Sequence, residues 1–347
     1  PTHGIEVING KNINIYNNRV YRTQGMGIRV RGYMAEIPSE RDTRKQSSNV
    51  LIKSNEVYQT NLSNSGANKS KNNWGSAIQA WNANNVAIVD NTVSRNYGEG
   101  IALSVVDAGL IKNNTLYDNF SVQVYLDNAT DSVVNRNFIY NTGNRNFYRD
   151  NYAPNGIALA NEIYNVANPA RFYLNNNSIR RNVIVGANTG IMYGTWAGIH
   201  QNAASNNWQG IKNTKIIHNT IYDSEFHTIR FDGDFNIKNV KVARNIFDQK
   251  SKADLSLIDN LTGLNFQRNL WFGGKPGDGS SRNDIIADPQ FVNPGGNQAS
   301  DYRLQADSLA IDAINSSSSN NPWITDGQPD LGAIEFGEPV LIGADAI

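Results

Sequence analysis

The chain has 347 residues, with 31 basic and 31 acidic side chains and no net charge, which argues against a dedicated duplex-DNA binder. It contains no cysteine, so disulfides and thiolate metal sites are excluded, and its 4 histidines supply a multi-histidine zinc site poorly. No apolar run approaches the ~18 residues of a membrane span.

The chain opens as Pro1-Thr2-His3-Gly4-Ile5, without a basic-then-apolar leader pattern. Any leader is expected to have been removed or to lie outside this sequence. The 53 Asn, about 15% of the chain, set the question: such a composition is either disordered or a β-solenoid whose turns consume the Asn. A repeat decides it. An Asn followed two residues later by an apolar side chain recurs at Asn18, Asn55, Asn91, Asn114, Asn137, Asn182, Asn219, Asn245 and Asn269. A second phrase, typically Gly-Ile-x-Val or Gly-Ile-x-Leu, centres on Ile5, Ile28, Ile78, Ile101, Val124, Ile157, Ile191, Ile229 and Leu255. Ile78, Ile101 and Val124 follow one another at 23 residues, and longer gaps elsewhere mark insertions. The Leu spacing of leucine-rich repeats is absent.

Each repeat offers short alternating segments such as Val86-Ala87-Ile88, Ile101-Ala102-Leu103 and Val124-Tyr125-Leu126. These predict strands with one apolar face, stacked in parallel from repeat to repeat, with the Asn bonding its copies up and down the stack. The expected fold is all-β, a parallel β-helix. These phrases resemble those of the right-handed parallel β-helix repeat proteins of the pectate-lyase-like superfamily, over roughly residues 3–275. The resemblance, with the rule for parallel crossovers, implies right-handed coils. Past Trp271 the repeat stops, and Asp288-Pro289-Gln290-Phe291, Tyr302-Arg303-Leu304, Ser308-Leu309-Ala310-Ile311-Asp312 and Asp330-Leu331-Gly332-Ala333-Ile334-Glu335 follow. This string resembles the C-terminal segment after the coils of secreted bacterial β-helix proteins. Coils over 1–275 and an irregular cap over 276–347, covering the last open strands, are therefore expected. No amphipathic capping helix precedes Ile5, so an upstream portion or another subunit is expected to cover that edge.

With the Ile of Gly-Ile-x-Val as position zero, zero and +2 are expected to point inward, and −1, +1 and +3 outward. The +1 row reads Glu6, Arg29, Gln79, Ala102, Tyr125, Ala158, Met192 and Arg230; the +3 row reads Ile8, Arg31, Trp81, Ser104, Asp127, Ala160, Gly194 and Asp232. The long insertions flank this strand, at 61–76 and 141–155 before it and at 32–49, 161–176 and 195–214 after it. They carry Lys69, Lys71, Trp74, Tyr148, Arg149, Tyr152, Glu162, Trp196, His200 and Trp208. Loops on both margins of one sheet predict a walled groove, and its rings and amides suit a polysaccharide. Arg29, Arg31, Gln79, Trp81, Trp196, His200, Arg230 and Asp232 are the expected substrate contacts.

Glycoside hydrolysis requires two carboxyls, ~6.5–9.5 Å apart for inversion. Asp127 at +3 and Glu162 at +5 of the next coil come to roughly 8 Å if the strand stays straight. Glu99 at −2 is roughly 17 Å from Asp127 by the same estimate. A lyase or C5-epimerase acting on a uronate polymer instead requires a base, with Tyr125, His200, His227, Lys69, Lys71 or Arg149 as candidates. Arg29, Arg31 or Arg230 would then neutralise the carboxylate. Superfamily resemblance favours such enzymes, but the calcium and Asp-Pro-His-Asp signatures are missing. Arg230-Phe231-Asp232 equally fits a plain salt bridge. No cofactor is expected: Asp232-Gly233-Asp234, Asp278-Gly279 and Asp326-Gly327 read as turns before calcium loops. The glycines around Met26 and Glu99 lack the strand-to-helix setting of a phosphate loop. The sequence therefore reads as a secreted or cell-surface enzyme cleaving a polysaccharide, hydrolysis first, through Asp127 and Glu162 with Glu99 and Tyr125 as further candidates. A non-catalytic filament subunit or adhesin, stacking through an uncapped first coil, is the expectation from another class.

Overall fold

The structure, a computed structural model, describes residues 2–32, 46–70, 75–161, 174–194, 210–232, 236–250, 254–314 and 328–344. The chain coils as a parallel β-helix, and every coil contributes to three stacks of strands. The first sheet takes Ile5–Ile8, Ile28–Arg31, the start of Ser76–Val89, the start of Glu99–Lys112, Val122–Asp127, Asn155–Ala160, Thr189–Tyr193, His227–Phe231 and Ser256–Ile258. The second runs from Lys11–Tyr16 to Leu264–Gln267. The third runs from Arg19–Tyr21 to Leu270–Phe272, with Ile285–Ile286 added below. Strands 76–89 and 99–112 pass from the first sheet into the second without a break, so those two sheets join. Right-handed winding is the rule for such crossovers.

Rows zero and +2 form the core. Ile28, Val30, Ile78, Ile101, Leu103, Val124, Leu126, Ile157, Leu159 and Ile191 are all buried in one apolar cluster. A core this thin buries no coil alone; each relies on the coils above and below. The ladder residue of every corner between the second and third sheets is one of the nine recurring Asn. Asn91 shows the pattern: its Nδ2 donates to Asn114 Oδ1 at 3.0 Å and to the carbonyls of Val89 and Ile52. The backbone N–H of Asn91 donates to the same Asn114 Oδ1 at 2.9 Å. The residue before each ladder Asn is left-handed, as at Asp90 (φ 57) and Asn113 (φ 53). Below Asn269 the ladder ends on Asp284, whose carboxylate accepts from the Asn269 backbone and from Trp271 Nε1.

Two expectations fail in register. Row −1 faces the corner interior, not solvent: Ala77, Gln123 and Thr228 are buried there. Glycine fills most of this row because a Cβ on Gly100 would lie 2.3 Å from Gln123 O, and one on Gly156 would lie 2.4 Å from Gly190 O. In the last coil Ser256, rather than Leu255, pairs with Ile229, a slip of one residue.

Beyond residue 275 the chain first adds a partial turn under the last coil, where Lys275 bridges Asp254 and Ser256 Oγ donates to Pro276 O. It then turns back along the outside of the third sheet. Phe291, Tyr302, Leu304, Ile314, Leu331 and Ile342 pack there on Phe138, Val183, Tyr222, Ile246 and Leu270. Ala344 N donates to Thr115 Oγ1, so the strap reaches several coils upstream. The segment is thus a lengthwise clasp more than a lid on the open end.

Candidate functional site

The outer face of the first sheet changes character along the helix axis. At its upper end, charge pairs with charge. Glu6 accepts from Arg31 Nε at 3.0 Å and lies 3.4 Å from Arg29, whose guanidinium sits 5.4 Å from the Trp81 ring centre. Burial acts upward on the Glu6 carboxyl, but the Arg31 hydrogen bond and the nearby His3, Arg29 and Arg31 charges hold it below the usual range. Beside this group lies Gln79, 9% exposed, with its Oε1 lacking a hydrogen-bond partner among the described residues. At the lower end Arg230 Nε donates to Asp232 at 2.6 Å.

Between these ends the side chains are small. Ala102, Ala158 and Ala160 join Val122, Tyr125 and Met192 in an apolar cluster on the outer surface of the sheet, separate from the coil core. Tyr125 therefore lies outside the helix interior although it is only 6% exposed. Asp127 stands in the +3 row between Ser104 and Ala160, its rung partners above and below. Its carboxylate accepts from Asn128 Nδ2 at 2.6 Å and the residue is 7% exposed. Immediately after this row the chain turns: Asn82, Val105 and Asn128 are left-handed, with φ of 48, 55 and 53. A β-branched residue in that region is an outlier, so Val105 stores strain one position from the Ser104–Asp127 rung. Glu99 lies on the opposite margin, at −2, where Ser76 Oγ donates to it at 2.9 Å.

The insertions leave and rejoin the coil at the two margins of this sheet, as the strand order requires. On the margin before the strands, residues 59–70 and 141–154 are tied together: Lys69 Nζ donates to Arg145 O at 2.8 Å, and Phe147 packs on Tyr97 at 5.1 Å. Burial lowers the Lys69 ammonium against a nearby Asp150 charge. Tyr148 packs inward and accepts from Asn141, Arg149 reaches Ser121, and Tyr152 is exposed against Phe226. His227 Nδ1 is occupied by Asp254 O at 2.9 Å. Glu162, Trp196 and His200, with Lys71, Trp74 and Trp208, lie outside the described residues.

The structure thus brings Asp127 and Tyr125 together on one small-residue trough, with Gln79 and Trp81 above it and Arg230 and Asp232 below. It leaves Glu99 on the far margin. It shows Arg29, Arg31, Arg230 and Asp232 engaged in ion pairs within the sheet, of which the sequence offers Arg230 with Asp232. Asn128, the donor to Asp127, was missed; its signal was an Asn one position past the +3 row, as at Asn82. Among the described residues, no group of three or more His, Asp or Glu is placed to hold a metal ion. No helix among them is long and apolar enough to cross a membrane.

No family model matches the sequence, and no curated protein matches it. Among solved structures, the pectate lyase Pel9A is similar with a TM-score of 0.50 and 15% identity, over 96% of this chain and 73% of that one. The catalytic unit of a thermostable GH87 alpha-1,3-glucanase from Streptomyces thermodiastaticus strain HF3-3 aligns with a TM-score of 0.32 and 9% identity, over 83% of this chain and 64% of that one. The likeness to Pel9A establishes the shared parallel β-helix.

Proposed function

We propose that this chain is an extracellular enzyme that hydrolyses a polysaccharide lying along the trough over the first sheet, with Asp127 as one of its two carboxyls. The observation that carries the reading is the placement of Asp127: a nearly buried carboxylate on the outer face, at the floor of a row of Ala and Ser. Small side chains on the rungs around it would admit a sugar ring beside the carboxyl. The fold shared with Pel9A, a pectate lyase, supports action on a polysaccharide. Glu162, two residues beyond the rung partner Ala160 in sequence and outside the described residues, is the proposed second carboxyl of an inverting pair. Gln79 and Trp81 would bind sugar above the cut, and Arg230 with Asp232 below it. Trp196 and His200 complete the proposed contacts, and Glu99 serves at the margin.

Elimination is the weaker reading on one specific ground. A lyase needs a cation committed to the substrate carboxylate, whereas Arg29 and Arg31 are engaged by Glu6 and Arg230 by Asp232. Digestion of a polysaccharide panel by the wild-type chain and by Asp127→Asn tests this. New reducing ends from the wild type alone support the proposal. Products carrying a conjugated unsaturated uronate would replace it with a lyase.

A further inference from the structure

The second sheet carries a feature that the trough does not use. Along the coil, Lys212 and Lys215 lie three residues apart, and one coil below, Lys238, Lys241 and Arg244 repeat that spacing. Lys238 bridges Lys212, Lys241 pairs with Lys215, and Arg268 occupies the next coil below Arg244. The result is a lattice of cations on one outer face and its corner. Lys215 and Lys238 are exposed, while Lys241 and Arg268 are half-buried. None of these four takes part in an ion pair among the described residues.

The lattice repels itself. Burial and then Arg244, Lys215 and Arg268 lower the Lys241 ammonium, and burial with Lys238 lowers that of Lys212. Upstream, burial followed by Arg181 and Arg180 lowers Arg136, so the positive region continues along the corner. There the strap brings acids: Glu335 binds Arg181 at 2.8 Å, and Glu338 lines the same cavity as Arg136 and Arg181. In a chain of zero net charge such segregation makes the face around Lys215, Lys238, Lys241 and Arg268 positive.

We propose that this face anchors an acidic polysaccharide, outside the trough and independently of the role given to Asp127. Successive rungs lie ~4.8 Å apart, so a linear polymer with a carboxylate on successive units can engage one cation per coil. The exposed amides of Asn213, Asn239 and Asn265 lie beside the cations and can bond sugar hydroxyls. An unstructured nucleic acid would be served by aromatic stacking partners, and the described outward residues of these strands supply none.

The test is binding of the full chain to alginate, a polyuronate, against the neutral hydroxyethyl cellulose, at low and high salt. The wild type should bind alginate in preference, with affinity falling as salt rises. Lys215→Gln/Lys238→Gln/Lys241→Gln/Arg268→Gln should weaken binding about tenfold or more at ~50 mM salt. The double variant Lys215→Gln/Lys238→Gln, which alters exposed side chains alone, should show a smaller loss at an unchanged melting temperature. Asp127→Asn should bind as the wild type does, which separates this surface from the proposed chemistry. Wild-type binding that is absent, salt-independent or unchanged in the quadruple variant overturns the proposal. So does tighter binding of single-stranded oligo(dT) than of alginate at matched charge.

Discussion

The outer faces of the first and third sheets are built on the same coils and opposed in design. Each holds a nearly buried aspartate: Asp127 is 7% exposed and Asp248 is 6% exposed. Around Asp127 the rung partners are Ser104 and Ala160, Asn128 donates to the carboxylate, and no described strap residue belongs to the apolar cluster beside it. Around Asp248 the rung partners are Tyr222 and Phe272, and Phe291 of the strap lines the same pocket of about 560 Å³. The Asp248 side chain accepts no hydrogen bond among the described residues; burial, Asp288 and Asp223 push its carboxyl up to about 7 against the opposing Lys250. The inward rows barely differ between the two faces. The outward rows decide whether a face carries aromatic rings under the strap or small side chains, so a solenoid separates stability from surface chemistry row by row.

Exchanging the two aspartates sharpens this contrast most. Asp127→Asn should cost about 10²–10⁴-fold in glycan cleavage with no change in melting temperature, whereas Asp248→Asn should leave cleavage intact. Truncating the strap anchor comes next. Tyr302→Ala removes a ring 1% exposed that packs on Tyr222 and Phe291, and should destabilise the protein by about 3–5 kcal/mol in denaturant titrations.

The pH dependence of Asp248 follows. Its folded value lies above the unfolded 3.8, so the native state holds the extra proton and stability falls as pH rises from about 4 to about 7. Asp248→Asn should therefore gain stability over the wild type across that window, levelling off above it at roughly 2–4 kcal/mol. A gain that is constant with pH would refute the buried-acid reading. The smallest effect belongs to the lower rim: Arg230→Ala should cost under ~1 kcal/mol, because the Arg230–Asp232 pair is partly exposed. A larger loss of affinity for substrate than of stability would make Arg230 a sugar contact.

Much of the fold was legible because the ladder Asn and the zero and +2 rows use side chains whose burial admits few alternatives. Row −1 was not legible, since glycine shows no side chain to betray its direction and only Ala77, Gln123 and Thr228 mark the corner. Leu255 misled because an apolar residue on either side of a rung satisfies the same pattern; pairing chose Ser256. The outward rows were read correctly as rows, but which of their charges pair within the sheet depends on side-chain reach between coils. Arg29, Arg31 and Glu6 show that dependence. The strap was visible as a change of sequence style, and its path was not, because its partners Val183, Tyr222 and Leu270 are outward positions far upstream.

Cleavage in water enriched in the heavy oxygen isotope, read by product mass, tests the central assignment most directly. Hydrolysis at the Asp127 trough predicts one labelled oxygen per broken linkage from the wild type and product slowed by about 10²-fold or more from Asp127→Asn. Unlabelled products lighter by one water, or full turnover by the variant, would contradict it.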